Sequence, residues 1–298
     1  MMSAIRNTGE TGQPAIVAVP ITATRAAFEN PGSVNKRAVA QSFSRAAQRY
    51  DQVAQLQMRA GQQLLAAIQS PPAQQKNTVA LDIGCGTGNL TRHLQPFCAT
   101  LIALDFAPGM LQFACEHHGD KIQHFICADA DALPFAPASL DLVFSNFALQ
   151  WCESLPALFR NLFALLRPGG QLVFSIPGDG TLKELQHSWQ QADPFHRHVN
   201  AFVTALQVRD ALQQAGFQLD DLQAEPVIMQ YASVRELTHE LKTLGAHIVN
   251  GERNRQLTGK RAVAGMLQAY EKLRDTDGKL PATWNIIRVS AHKPASTG

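Results

Sequence analysis

Three aspartates stand at matching points of the chain: Asp82 in "VALDI", Asp105 in "TLIALDF" and Asp129 in "IQHFICAD" each close a short apolar run. Carboxylates at the carboxyl ends of successive strands face the crevice where open sheets bind ligands. After the first comes "GCGTG", with glycines at 84, 86 and 88. A dinucleotide fingerprint, G-x-G-x-x-G, needs its last glycine where this chain has Asn89. The tighter spacing suits a backbone wrapped around an amino-acid moiety and a ribose, with helix-start N–H groups holding a carboxylate in place of a phosphate. Asp105 would accept from both ribose hydroxyls, Phe106 and Met110 would cover one face of an adenine, and Asp129 would accept from its amino group. The chemistry read from these residues is adenosine binding without a pyrophosphate.

Other reactive side chains are less ordered. Five cysteines, at 85, 98, 115, 127 and 152, form no C-x-x-C pair, which argues for a reducing, cytoplasmic setting and against both a disulfide framework and a zinc site. The pairs in "HRH" (196–198) and "HH" (117–118) read as surface histidines, so no metal is expected. A net charge of +2 gives no global electrostatic case for nucleic acid. No apolar run reaches the roughly 18 residues of a membrane-spanning helix, and "AIVAVPITATRAA" is too short and Pro-broken for a signal peptide.

The elements that must position these residues follow from periodicity. Residues 1–32 lack it and read as a flexible leader. From Val34 the pattern is helical, with Val39, Phe43, Ala46, Tyr50, Val53 and Gln57 on one arc and Arg37, Arg45 and Arg49 opposite. "MRAGQQLLAAI" is a second helix, stopped by Pro71 and Pro72. Strands at 79–83, 100–106, 122–129, 140–146 and 169–177 then alternate with helices, the first of them "NLTRHLQPF". Such apolar, non-alternating strands imply a mostly parallel sheet covered on both faces, wound in βαβ order. Beyond it come helices around "TLKELQHSWQQAD" and "TALQVRDALQQAGF", a strand over 218–232, a helix capped by Ser233 and Glu236, another helix, and a closing strand over 283–293. The expected fold is α/β: a doubly wound, seven-stranded sheet forming one domain over 33–298, with a helical cover (33–70) and a helical lid inserted near the C-terminus (178–282).

"LDIGCGTGNLTRHL", "ALDFAPGML", "CADADALPF" and "LLRPGGQLVF" resemble the class I S-adenosylmethionine-dependent methyltransferases over roughly residues 79–177. The resemblance implies S-adenosylmethionine as cofactor, S-adenosylhomocysteine as product, and contacts from Asp82, Gly84, Cys85, Gly86, Gly88, Asp105, Phe106, Met110, Asp129 and Ala130. It also implies Asn146 beside the transferring methyl, with Gln57 closing over the cofactor from the first helix.

The flanks "VNKRAVAQSFSRAAQRYDQVAQLQ", "NFALQWC", "LKTLGAHIVNGERN" and "LPATWNII" are similar to one subfamily, the malonyl-acyl carrier protein O-methyltransferases of biotin synthesis. That likeness implies an acceptor carboxylate on a malonyl thioester carried by an acyl carrier protein. A carboxylate is already ionised at neutral pH and needs no general base. Tyr50, Lys242, His247 and Arg253 are the candidates to hold it, Arg being the better bidentate partner. Acyl carrier proteins are acidic, so a basic face is implied: Lys36, Arg37, Arg45 and Arg49, or else Arg253, Arg255, Lys260 and Arg261. A methyltransferase of a quinone precursor or phenol is the alternative reading, and a non-catalytic cofactor-binding subunit a second.

Overall fold

The computed structural model describes residues 15–18, 35–69, 77–244 and 259–295. Within them, β2 (Val79–Ile83), β3 (Thr100–Asp105), β4 (His124–Cys127), β5 (Leu140–Asn146) and the first part of the sheet's next strand, β6 (Leu166–Pro177), run parallel. A long antiparallel pair, β7 (Gln218–Tyr231) and β8 (Leu280–His292), completes the sheet through β6. The strand order is β1-β4-β3-β2-β5-β6-β8-β7. Chain direction across the sheet reverses between β2 and β5, the switch point at which doubly wound sheets bind ligands.

The doubly wound α/β fold is the one expected, with one addition. β1 (Ile16–Ala18), inside the stretch read as a leader, pairs parallel to β4 and gives the sheet an eighth strand. Its residues are exposed, so no apolar periodicity announced it. β3 shows why the other strands were legible: buried almost throughout, it reads as an apolar run between Thr100 and Asp105. One core layer packs α4 (Leu155–Leu165) and α6 (Ala205–Ala215) against the sheet; a second lies on the opposite face under α3 (Pro108–His118).

α1 (Lys36–Val53) is capped by Asn35, whose side chain accepts from Ala38 N at 3.0 Å. It ends at Ala54, and α2 (Gln55–Ala66) starts immediately after. The single arc drawn from Val39 to Gln57 is therefore broken: Gln57 belongs to the first turn of α2. α1 crosses α3 closely, because Gly109 donates its N–H to Ser44 Oγ at 3.1 Å and a Cβ at Gly109 would lie 2.8 Å from the Ser44 carbonyl oxygen. "NLTRHLQPF" forms a 3-10 helix over Thr91–Phe97 in place of an α-helix; Pro96 has no N–H to give a regular ladder.

The C-terminal insertion has a core of its own. α5 (Lys183–Ala192), α7 (Val234–Thr243) and α8 (Lys260–Glu271) bury Leu185, Leu237, Leu241 and Tyr270 with Trp284 and Ile286 of β8 and Leu56 of α2. Gly216 caps α6 at φ 99°, and Thr204 with Gln207 forms a full capping box. At α7 the box is displaced: Ser233 caps Glu236 N, but the Glu236 carboxylate bonds Ala232 N. Among the described residues, no helix is long and apolar enough to cross a membrane.

Candidate functional site

The glycine loop leaves β2 and is pinned to the next strand: Gly84 N and Cys85 N both donate to Leu104 O, at 2.7 and 3.0 Å. Gly84, Gly86 and Gly88 all have positive φ (74°, 55° and 77°), a region that side-chain-bearing residues enter only with strain. Their surroundings differ. A Cβ at Gly84 would lie 2.2 Å from Ala148 Cβ, and one at Gly88 would press on Ala114 and His118, whereas one at Gly86 meets nothing within 4 Å. Gly88 thus serves the packing of α3, and Gly86 leaves room for a ligand.

Asp105 shapes the loop from below, accepting from Gly86 N at 2.9 Å with one oxygen and Ala107 N at 2.7 Å with the other. Each carboxylate oxygen keeps a further lone pair for a hydroxyl donor. Asp82 accepts from Thr91 Oγ1 at 2.6 Å. Burial pushes the Asp82 carboxyl up to about 7; the Thr91 bond opposes this and the charge of Asp105 adds to it. Burial likewise raises Asp105 to about 6 against the pull of the Ala107, Gly86 and Phe106 amides. Cys85, buried beside them, is held well above the ordinary thiol range by the same burial and is no nucleophile.

A cavity of about 40 Å³ opens on this loop, lined by Asp51, Asp82, Gly84, Gly86, Thr87, Asn146, Tyr50 and Gln57 among others, with no Lys or Arg in its lining. An acidic pocket at a nucleotide loop repels phosphate and attracts a cation. Asp51, not singled out from the sequence, reaches it by accepting from Thr87 Oγ1 at 2.8 Å.

The side expected to take an adenine has a neighbouring cavity of about 30 Å³, lined by Phe106, Asp129, Ala130, Ala148 and Lys36 among others. Here two expectations change. Lys36, assigned to a docking face, is buried and donates to both oxygens of Asp129 at 2.7 Å, and to Asp131. Burial opposes its charge, but those two carboxylates outweigh it and hold the ammonium above its ordinary value. Asp129 therefore carries an ion pair from α1. Met110, expected on the adenine face, is buried between Ala47 and Ala107, where it joins α1 to α3.

A third, larger cavity of about 170 Å³ lies beneath the insertion, lined by Phe43, Trp151, Trp189, Leu241, Trp284 and their neighbours. Tyr50 and Gln57 line both it and the loop cavity, so these two side chains mark where the cavities meet. Asn146 is fixed at this junction: its Nδ2 donates to the Gln57 carbonyl at 3.0 Å and its Oδ1 accepts from Ser175 Oγ at 2.7 Å. The buried amide oxygens of Gln57 and Gln150 have no partner, an arrangement that a ligand N–H would relieve. The Tyr50 phenol stays protonated, raised by burial and by Asp105 and Asp51.

Of the carboxylate-holding candidates among the described residues, Tyr50 lines this cavity and Lys242 does not. Lys242 is exposed on α7, whose buried residues are Val234, Leu237 and Leu241 and which reaches the cavity with Thr238 and Leu241. His247, Arg253 and Arg255 lie outside the described residues. His198, dismissed with "HRH" as a surface residue, lines the cavity. Arg37, Arg45 and Arg49 are exposed on α1, as are Lys260 and Arg261 at the start of α8. Among the described residues no group of three or more His, Cys, Asp or Glu could hold a metal ion.

A wound parallel sheet with a glycine loop and carboxylates at its carboxyl edge is the class I methyltransferase architecture, and residues 81–174 match the methyltransferase domain family. YcgJ of Bacillus subtilis shares the fold, with a TM-score of 0.57 at 14% identity over 80% of this chain and 100% of that one. The malonyl-acyl-carrier-protein O-methyltransferase of Gallionella capsiferriformans is 40% identical over 88% of this chain and 92% of its own length. The chain belongs to the malonyl-acyl-carrier-protein O-methyltransferase family. The biotin biosynthesis bifunctional protein BioHC of Cellvibrio japonicus is 43% identical over 88% of this chain, which spans 51% of that longer protein.

Proposed function

We propose that this chain methylates the free carboxylate of malonyl-acyl carrier protein, using S-adenosylmethionine, to give the methyl ester that enters biotin synthesis. The observation that carries this reading is the meeting of two unlike cavities, one acidic at the glycine loop and one aromatic under the insertion, at Tyr50 and Gln57. The side chains around the glycine loop suit the cofactor's chemistry. Asp105 has lone pairs for the ribose hydroxyls, Gly86 leaves space, and Asp82 and Asp51 complement a ligand bearing both ammonium and sulfonium. When bound, S-adenosylmethionine supplies an electrophilic methyl group whose loss leaves a neutral thioether.

The chain's own task is placement. The acceptor arrives ionised, so no residue need take its proton, and in-line positioning supplies most of the rate. The aromatic cavity excludes water, which strengthens the attraction between opposite charges. Desolvating a carboxylate is costly unless it is paired, and Tyr50 offers it a neutral O–H donor.

Carrier docking falls to Arg37, Arg45 and Arg49, without Lys36. A groove of about 510 Å³ on this face is lined by Arg37, Arg45 and Phe106 together with the Lys36–Asp129 ion pair, which favours α1 over the start of α8. The five free cysteines suit a reducing cytoplasm. The test is calorimetric titration followed by labelled-methyl transfer: S-adenosylmethionine binds and NAD does not, and the label appears as a base-labile ester on malonyl-carrier. Binding of NAD in its place would overturn the reading.

A further inference from the structure

The aromatic cavity raises an electrostatic question that Tyr50 alone does not answer. Among the described residues its lining contains no arginine, lysine or acid, and one side chain able to become a cation: His198. This residue sits in the "DPFHRHVN" loop between α5 and α6. The loop begins where Asp193 ends α5, and Asp193 fixes it by two bonds. His198 Nε2 meets Asp193 Oδ2 at 2.8 Å, and His196 Nδ1 meets Oδ1 at 2.8 Å. One turn earlier on α5, the Trp189 ring stacks on the His198 ring with centroids 3.8 Å apart and planes 14° apart. His198 is thus held on its face by an aromatic and at one nitrogen by a carboxylate, with 11% of its side chain exposed.

Tautomer chemistry then sets its role. A neutral imidazole that donates Nε2–H to Asp193 has only an acceptor at Nδ1, which a carboxylate cannot use; the imidazolium donates from both nitrogens. The two histidines hold Asp193 below the usual carboxylate range, His198 contributing most.

We infer that His198 is the substrate-binding residue that pairs, through Nδ1, with the free carboxylate of the acceptor, selecting thioesters that end in a carboxylate. This deepens the proposed function and rests on it. A ring fixed by stacking and by one carboxylate loses little freedom when it binds a second. Its attraction is shared with Asp193, so the acceptor oxygens keep the electron density that attack requires.

The test uses the full-length chain with malonyl-carrier as substrate and acetyl-carrier as competitor. His198→Gln keeps an N–H donor but not the charge. It should raise KM for malonyl-carrier by about 10–100-fold, the range of a charge-assisted hydrogen bond, while kcat stays within a few-fold and S-adenosylmethionine affinity is unchanged. The wild-type preference for malonyl- over acetyl-carrier binding should collapse in the variant. Asp193→Asn, which weakens the bridge that fixes the ring, should shift KM in the same direction and serves if His198→Gln melts early. Wild-type transfer to malonyl-carrier with KM and malonyl preference unchanged in both variants would overturn the assignment alone. A wild-type chain inert toward malonyl-carrier would overturn the underlying reading and the assignment with it.

Discussion

Asp82 and Asp105 are two acids held close together out of water, and the strain between them is what a cationic ligand relieves. Both carboxyls titrate higher in the folded chain than the ordinary 3.8, at about 7 and about 6. Folded, they hold protons that the unfolded chain has released. Their contribution to unliganded stability is therefore fully present below about pH 4 and is lost as pH rises through 6 and 7. Asp82→Asn should melt above wild type at pH 8, with the gap narrowing by roughly 2–4 kcal/mol toward pH 5. The same variant should bind S-adenosylmethionine at least about 10-fold more weakly, since one lost charge interaction at a dry site exceeds 1.4 kcal/mol. In wild type, affinity should rise across pH 6–7, with proton release visible as a buffer-dependent binding enthalpy. Glycine variants separate strain from space. Gly84→Ala meets Ala148 at 2.2 Å and should lose both stability and cofactor binding. Gly86→Ala should cost only about 1–2 kcal/mol of stability, the penalty of its left-handed φ, yet still abolish binding, as paired thermal melts and titrations would show. These acids and glycines were legible in the sequence because strand ends and turn glycines are local signals. Lys36 was not: its partner Asp129 is 93 residues away, and no local pattern distinguishes a lysine in a first helical turn that folds onto a site from one that faces solvent.

At the scale of elements, α1 does two things with opposite faces. Its inner face brings Val39, Phe43, Ala47 and Tyr50 to the site, and its outer face presents Arg37, Arg45 and Arg49. Charge reversal of the three arginines should raise KM for malonyl-carrier about 10-fold or more and flatten its salt dependence, because such contacts govern encounter. S-adenosylmethionine binding and turnover of malonyl-coenzyme A, which needs no carrier docking, should be unaffected. Equal losses on both acceptors would move the docking surface elsewhere. Amphipathic spacing revealed this helix, but its break at Ala54 did not show, so Gln57, read as part of the same arc, stands in α2 instead. The insertion was harder. Its helices could be read one by one, yet which face of α7 turns inward depends on β7 and β8, and the loop carrying His198 is placed by a stacking contact and an Asp193 bridge that composition does not encode.

Across the whole molecule, the sheet sets the address and the added helices set the chemistry. β2 through β6 were readable because parallel strands buried on both faces are mostly apolar, and their order puts the switch point beside the glycine loop. The eighth strand, β1, was missed because three exposed residues on a sheet edge are fixed by pairing with β4 rather than by hydrophobic pattern. The cover over this site comes from two directions, α1 and α2 before the sheet and α5, α7 and α8 after it, and the two meet around Tyr50, Gln57 and the aromatic cavity. That convergence is why a generic methyl-donor site would become selective for a charged acceptor on a large carrier. The most direct measurement is the initial rate of labelled-methyl transfer to malonyl-carrier, acetyl-carrier, free malonate and a catechol under one set of conditions. The account predicts rapid ester formation on malonyl-carrier, weak transfer to malonate and none to acetyl-carrier or catechol; transfer to the catechol at a rate equal to that on malonyl-carrier would contradict it.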